Sequence, residues 1–247
     1  MKVAPLMLAL AAVAILPSGL AAAAGIRIAV ASNFAPTLHD IAARFHAHHG
    51  DEVTLVTGST GKLYAQIVNG APVDAFFAAD SERPQRLEAQ RLARAGSRFT
   101  YALGRLVLWS PREGLVDAAG AVLQRGNFHH LAIANPRLAP YGRAARQLLE
   151  QLGLWDKLAP RLIRGENIGQ AFQFVHGGHA ELGLVAAAQL VRSRAGGSRW
   201  RPPSSLYAPI RQQAVQLTDS PATRDFLAFT RGEEARRLIA EQGYGLP

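Results

Sequence analysis

The chain has 247 residues, of which 49% are hydrophobic and 18% charged, enough for one large domain or two modest lobes and unlike a highly charged unfolded polypeptide. It contains no cysteine, so disulfides and a cysteine-linked lipid are excluded and the fold must be held by its own core. The formal charge of +9 suits an acidic ligand or surface, but the arginines are scattered and aromatics make up only 7%, so nucleic-acid binding is not indicated.

The first segment stands apart. Lys2, the apolar run Val3 to Leu16, Pro17-Ser18-Gly19 and Ala22-Ala23-Ala24 form the charged, apolar and small-residue regions of a secretory signal, predicted over residues 1–24. Its 14 apolar residues are too few to span the hydrocarbon core comfortably, and no later stretch is long and apolar enough, so no membrane insertion is expected. The mature chain is expected to begin near Gly25 and to carry +8 once Lys2 is removed.

Ile26 to Ala31 predicts a buried strand, with Ser32-Asn33 where a helix should begin and Pro36 tolerated in its first turn. Leu38, Ile41, Ala42 and Phe45 share one helix face, which Gly50 ends. Val53 to Thr57, the Gly58 turn and a helix to Asn69 repeat the plan, and Val73 to Ala79 predicts a third strand before Asp80-Ser81 and another helix. Tyr101 to Trp109 predicts one long strand. The pattern then restarts with a strand at Leu131 to Ala134, a turn at Pro140-Tyr141-Gly142 and a helix face of Ala144, Ala145, Leu148, Leu149 and Leu152. A short strand from Leu162, a loop from Gly165 to Gly169, a helix through Phe172 and a strand at Leu182 to Ala186 follow. Arg192 to Pro203 predicts surface loop, Ile210 to Leu217 a strand, and Ser220-Pro221 the start of the closing helices. Alternating strands and helices imply an α/β fold with largely parallel sheet.

The most informative turn is Gly58-Ser59-Thr60-Gly61-Lys62. A helix start leaves backbone N–H groups without partners and carries partial positive charge, so glycines and hydroxyls there can seat an anion. It is not a nucleotide loop, because two residues rather than four separate Gly58 from Gly61 and Leu63 follows Lys62. An ordinary capped turn is the alternative, since Ser, Thr and Gly cap helices generally. Ser32-Asn33, Tyr141-Gly142 and Asn167-Ile168 are turns of similar chemistry.

With these turns in this order, the chain resembles the periplasmic molybdate-binding proteins of ABC importers, which are type II periplasmic binding proteins. The likeness runs through Val30-Ala31-Ser32-Asn33-Phe34, Gly58-Ser59-Thr60-Gly61-Lys62, Gln66-Ile67-Val68-Asn69-Gly70-Ala71-Pro72, Phe77-Ala78-Ala79-Asp80, Ala134-Asn135-Pro136, Ala139-Pro140-Tyr141-Gly142 and Gly243-Tyr244-Gly245. It implies two α/β lobes joined by two crossing strands, lobe one at 25–107 with 213–247 and lobe two at 108–212, closing on a ligand between them. It also implies contacts from Ser32, Asn33 and Thr60, with Ser59 as an additional donor, and backbone N–H groups at Tyr141 and Ile168. Where some members carry a tyrosine after the strand from Leu182, this chain has Ala186, which favours the branch in which Asn33 supplies the donor. The resemblance implies a monomeric periplasmic carrier of molybdate and tungstate that serves an ABC permease, with no cofactor, no metal bound as a cation and no catalytic residue. A sulfate or thiosulfate carrier is the alternative, with a periplasmic enzyme on the same fold behind it.

The chemistry of the residues agrees. A fully deprotonated tetrahedral oxoanion offers only acceptors, so its site should hold only donors, and a carboxylate would favour a protonated anion instead. Glu166 is the acid nearest in sequence. Eight histidines, including His46, His48 and His49, do not fall together on one helix face, and no Gly-x-Ser-x-Gly elbow occurs, so neither a metal centre nor a hydrolase is indicated.

Overall fold

The computed structural model describes residues 25–247, so the predicted signal at 1–24 lies outside the described residues. The chain runs β1 (Ile26–Ala31), α1 (Ala35–His49), β2 (Val53–Gly58), α2 (Thr60–Val68), β3 (Ala75–Ala78), α3 (Glu82–Ala89) and β4 (Phe99–Gly104). It continues with β5 (Leu106–Ser110), α4 (Val122–Arg125), β6 (Leu131–Ala134), α5 (Pro140–Gln151), α6 (Trp155–Leu158), β7 (Leu162–Gly165), α7 (Ile168–His176), β8 (Leu182–Ala186), α8 (Ala187–Ser193) and β9 (Ser198–Trp200). It closes with β10 (Ile210–Gln216), α9 (Pro221–Arg231) and α10 (Glu233–Glu241).

Two five-stranded sheets result, in the orders β2-β1-β3-β10-β4 and β7-β6-β8-β5-β9. After the exposed Arg27, the β1 run is apolar from Ile28 to Ala31 because both its faces are covered there. Ile28 and Val30 pack with Leu38, Ile41 and Phe45 of α1, while Ala29 packs with Leu63 and Ile67 of α2 on the opposite side. The second sheet repeats this: Leu131 and Ile133 meet Ala145, Leu148 and Leu149 of α5, and Ala132 meets Phe172 and Val175 of α7.

Three features differ from the sequence expectation. The run Tyr101 to Trp109 is not one strand but two, in different sheets, parted at Arg105. There the Leu106 N–H bonds to the Tyr207 hydroxyl at 3.2 Å and the Arg105 carbonyl accepts from Ala187, so the backbone leaves one ladder for the other at Gly104-Arg105, the one interruption of the apolar run. The sheets are mixed rather than largely parallel. Strands β1, β2 and β3 pair in parallel, as do β6, β7 and β8, but β10 and β5 pair antiparallel with all their neighbours. Finally, Arg192 to Pro203 is not all loop. It holds the end of α8 and the three-residue edge strand β9, whose Trp200 packs into the second core and is too short to show alternation.

The chain thus crosses between sheets twice, at Arg105 and again between β9 and β10, and the strand-to-helix turns of both sheets face one another.

Candidate functional site

Four helix starts converge on one small cavity lined by Ser32, Ser59, Thr60, Ala79, Tyr141 and Ile168, with Asn33 and Asn167 beside them. Its volume is about 10 Å³, against about 520 Å³ for a larger cavity at the back of the crossing strands, lined by Leu103, Leu190 and Ile210. The larger cavity is not the better candidate. The smaller one gathers the polar groups that the fold leaves unused, and it is too small for an extended organic ligand.

The hydroxyls are set up as donors. Thr60 Oγ1 accepts from the Ala79 N–H at 3.1 Å and Ser32 Oγ from the Gly169 N–H at 3.3 Å, so each has a lone pair filled and its proton free. Ser59 Oγ is buried with no partner. Ser59 stands at the N-cap of α2 yet makes no side-chain cap bond, whereas Asn167 caps α7 through Gln170 N and Ser220 caps α9 through Thr223 N. The two capping residues do what a helix start ordinarily asks; Ser59 does not, which sets aside an ordinary capped turn there. From the second sheet come the first-turn N–H groups of Tyr141 and Ile168, which by position have no intrahelical acceptor and find none among the described residues. Their helices add partial positive charge at the same point.

Among the described residues no carboxylate lines the cavity. Asp80, next to Ala79, is buried but held by Arg83 and, at 2.7 Å, by Arg143. Glu166 turns out to the rim and pairs with Lys62 at 2.9 Å, which also takes the lysine of the Gly58 turn away from the site. Arg143 further reaches Glu82 at 2.6 Å, and that hydrogen bond, working against desolvation, draws the Glu82 carboxyl below its ordinary range.

Several of these contacts join the two sheets. Arg143 of α5 meets Asp80 and Glu82 of the first lobe, Arg192 of α8 meets Asp40 of α1 at 2.6 Å, and the Gly61 N–H donates to the Leu138 carbonyl at 2.8 Å. Gly61 is packed so tightly against the second lobe that a Cβ on it would stand 2.8 Å from the Leu138 carbonyl oxygen. The two halves are in direct contact at each of these points.

All six sequence-predicted residues, Ser32, Asn33, Ser59, Thr60, Tyr141 and Ile168, line this cavity. Asn33 is there in an unexpected pose: its Nδ2 donates to Gln212 Oε1 at 2.7 Å and lies 3.3 Å from the Tyr244 hydroxyl, leaving Oδ1 buried without a partner. Sequence reasoning missed Gln212, Tyr101 and the interlobe arginine Arg143. Tyr244 lay inside a quoted motif, Gly243-Tyr244-Gly245, but its contact with Asn33 had no local signal. Burial pushes the Tyr101, Tyr141 and Tyr244 hydroxyls well up, so all three stay protonated near neutrality. Among the described residues no three metal-capable side chains stand together.

The profile of the bacterial extracellular solute-binding protein family matches residues 26–245. The chain is 48% identical over 231 residues to the molybdate-binding protein ModA of Azotobacter vinelandii, covering 92% of each, and 41% identical to ModA of Rhodobacter capsulatus, covering 91% of this chain and 89% of that one. The solved periplasmic molybdate-binding protein of Azotobacter vinelandii superimposes with a TM-score of 0.87 at 44% identity, over 90% of this chain and 99% of that one. By the span of that match and the identity of these relatives, the chain belongs to the bacterial extracellular solute-binding protein family.

Proposed function

We propose that this chain captures molybdate, and tungstate with it, and hands the anion to an ABC permease. The observation that carries this reading is the all-donor cavity: hydroxyl protons and helix N–H groups converge on one point while every nearby carboxylate is paired and turned elsewhere. Such a site suits a tetrahedral anion that carries no proton. The molybdate-binding relatives at 48% and 41% identity supply the name of the anion.

In this reading Ser32 and Thr60 donate through their hydroxyls, with Ser59 as a further donor, and Asn33 through its amide. Tyr141 and Ile168 donate through their backbone. Lobe one takes in the first sheet with the helices that cover it and lobe two the second, the boundaries falling at Arg105 and between β9 and β10, and anion binding holds them together so that the permease meets the closed form. The protein acts as a monomer in the periplasm after loss of residues 1–24, and it binds without turning its ligand over.

Isothermal calorimetry with molybdate, tungstate, sulfate and phosphate tests this. Molybdate and tungstate should bind comparably, and each should raise the melting temperature because a ligand that binds only the folded state stabilises it. Sulfate is smaller and would leave donors of a wider ring unsatisfied. Sulfate displacing molybdate at equal concentration would overturn the molybdate reading and leave an oxoanion carrier.

A further inference from the structure

The larger cavity, of about 520 Å³, shares no lining residue with the anion site. It lies where the chain changes sheets: Arg105 forms part of its wall, and so does the return from β9 to β10 through Tyr207 and Pro209. Its floor is apolar and comes from both sheets, with Leu103 of β4, Leu106 of β5, Leu190 of α8 and Ile210 of β10. Val191 of α8 also lines it and is 45% exposed, the most of any large apolar side chain among the described residues.

The charged groups of this wall are all of one sign. Arg105, Arg199, Arg201 and Arg211 line the cavity, and no aspartate or glutamate does. Arg44, Arg94 and Arg192 elsewhere pair with Glu234, Asp219 and Asp40, whereas none of these four has an ion-pair partner among the described residues. The Tyr207 hydroxyl accepts the Leu106 N–H at 3.2 Å, so its own proton is left for a further acceptor. A small hydrophilic anion would answer the arginines and leave the floor wet. A neutral apolar molecule would cover the floor and leave the charges unmatched. An apolar body with a carboxylate at one end does both, since burial of the chain removes apolar surface from water and guanidinium groups suit a carboxylate.

We propose that this cavity is a second binding site, for a single-chain apolar carboxylate of medium length. The chain lies along the floor between the two sheets and covers Val191, and the carboxylate faces the arginines and the Tyr207 hydroxyl. The volume falls within the range of about 300–1,000 Å³ usual for small-molecule pockets. The basic stretch Arg192 to Pro203 thereby gains a role, since it supplies Arg199 within β9 and Arg201 just after it. Because the two cavities have no residue in common, the acid and an oxoanion can be bound together.

The test is calorimetry of the parent with decanoate below its micellar concentration. Propionate, which has the head without the chain, and decyltrimethylammonium, which has the chain with the opposite charge, are run beside it. Decanoate should bind saturably, one per chain, and raise the melting temperature. The other two should bind more weakly by about tenfold or more. Arg201→Gln with Arg211→Gln, both exposed positions, should weaken decanoate binding about three- to tenfold. Val191→Asp, which sets a carboxylate beside the apolar chain, should weaken it at least as much. Ligand-free melting should stay at the parent value in both variants, and saturating molybdate should leave decanoate binding in place. The site would be overturned by absent or unsaturable decanoate binding, by equal binding of decyltrimethylammonium, or by parent-like affinity in both variants. Displacement by molybdate would put the acid in the anion cavity and overturn it too. Sedimentation with phosphatidylglycerol vesicles without uptake of decanoate would mean a membrane-facing patch, which is equally fatal to it.

Discussion

The two halves of the site present donors of different kinds. Lobe one offers side chains, the hydroxyls of Ser32, Ser59 and Thr60, whereas lobe two offers main chain at the starts of α5 and α7. A hydroxyl can be aimed, since Thr60 and Ser32 each hold one lone pair on a neighbouring N–H and leave the proton to the cavity. A backbone N–H cannot be re-aimed without moving its helix. The difference teaches that lobe one carries the adjustable chemistry and lobe two a fixed electrostatic wall, so substitutions should act unequally on the two.

The sharpest way to break the comparison is to remove lobe one's hydroxyls. A hydrogen bond to a charged group contributes about 1.5–3 kcal/mol, so Ser32→Ala with Thr60→Ala should weaken molybdate binding by about a hundredfold or more by calorimetry. Thr60→Ser, which keeps the hydroxyl, should restore most of the Thr60 share. Parent-like affinity in the double variant would mean that main chain alone holds the anion.

Gly61→Ala probes where the halves meet. The added Cβ would stand 2.8 Å from the Leu138 carbonyl oxygen and 3.2 Å from its Cα, atoms of the other lobe. Lobe one should fold normally while closure is obstructed, at a cost of about 1–3 kcal/mol, or roughly five- to a hundredfold in affinity. Small-angle scattering with molybdate should show less compaction than the parent. Full compaction at parent affinity would show that the approach of Gly61 to Leu138 is not required.

Arg143→Gln, at the rim, should have the smallest effect. Glu82 has its carboxyl held below the ordinary 4.5, chiefly by the Arg143 hydrogen bond, so the pair stabilises above that value and loses its contribution as the pH falls through the lowered one. The gap in melting temperature between parent and variant should therefore narrow on acidification below 4.5. A gap that widened would reverse the assigned sign.

Much of this was legible in the sequence because the groups that line the cavity sit at helix starts, and helix starts have local signals. Ser59 and Thr60 follow an apolar strand and precede a helical face, and Tyr141 follows Pro140 at the first helical position. What was illegible was set by distant partners. Gly104-Arg105 interrupts the apolar run from Tyr101 to Trp109, but a glycine within a strand equally fits a bulge, and the partners that receive the chain after it, Tyr207 and Ala187, lie far along the sequence. The antiparallel pairings of β10 depend likewise on which strands it finds, not on its own pattern. Asn33 was legible as a polar residue at the site, but its buried partner Gln212 lies 179 positions away and has no local signal.

The place of β10 also bears on the order in which the molecule can assemble. It lies between β3 and β4, so the first sheet cannot be completed until residues 210–216 have been made. The second sheet needs only the continuous stretch from β5 to β9. Closing a sheet around a late strand requires long-range contacts, which form slowly, whereas a continuous segment gathers its partners sooner. The half that emerges first from the ribosome is therefore the half that finishes last, and the chain stays incompletely folded for most of its synthesis.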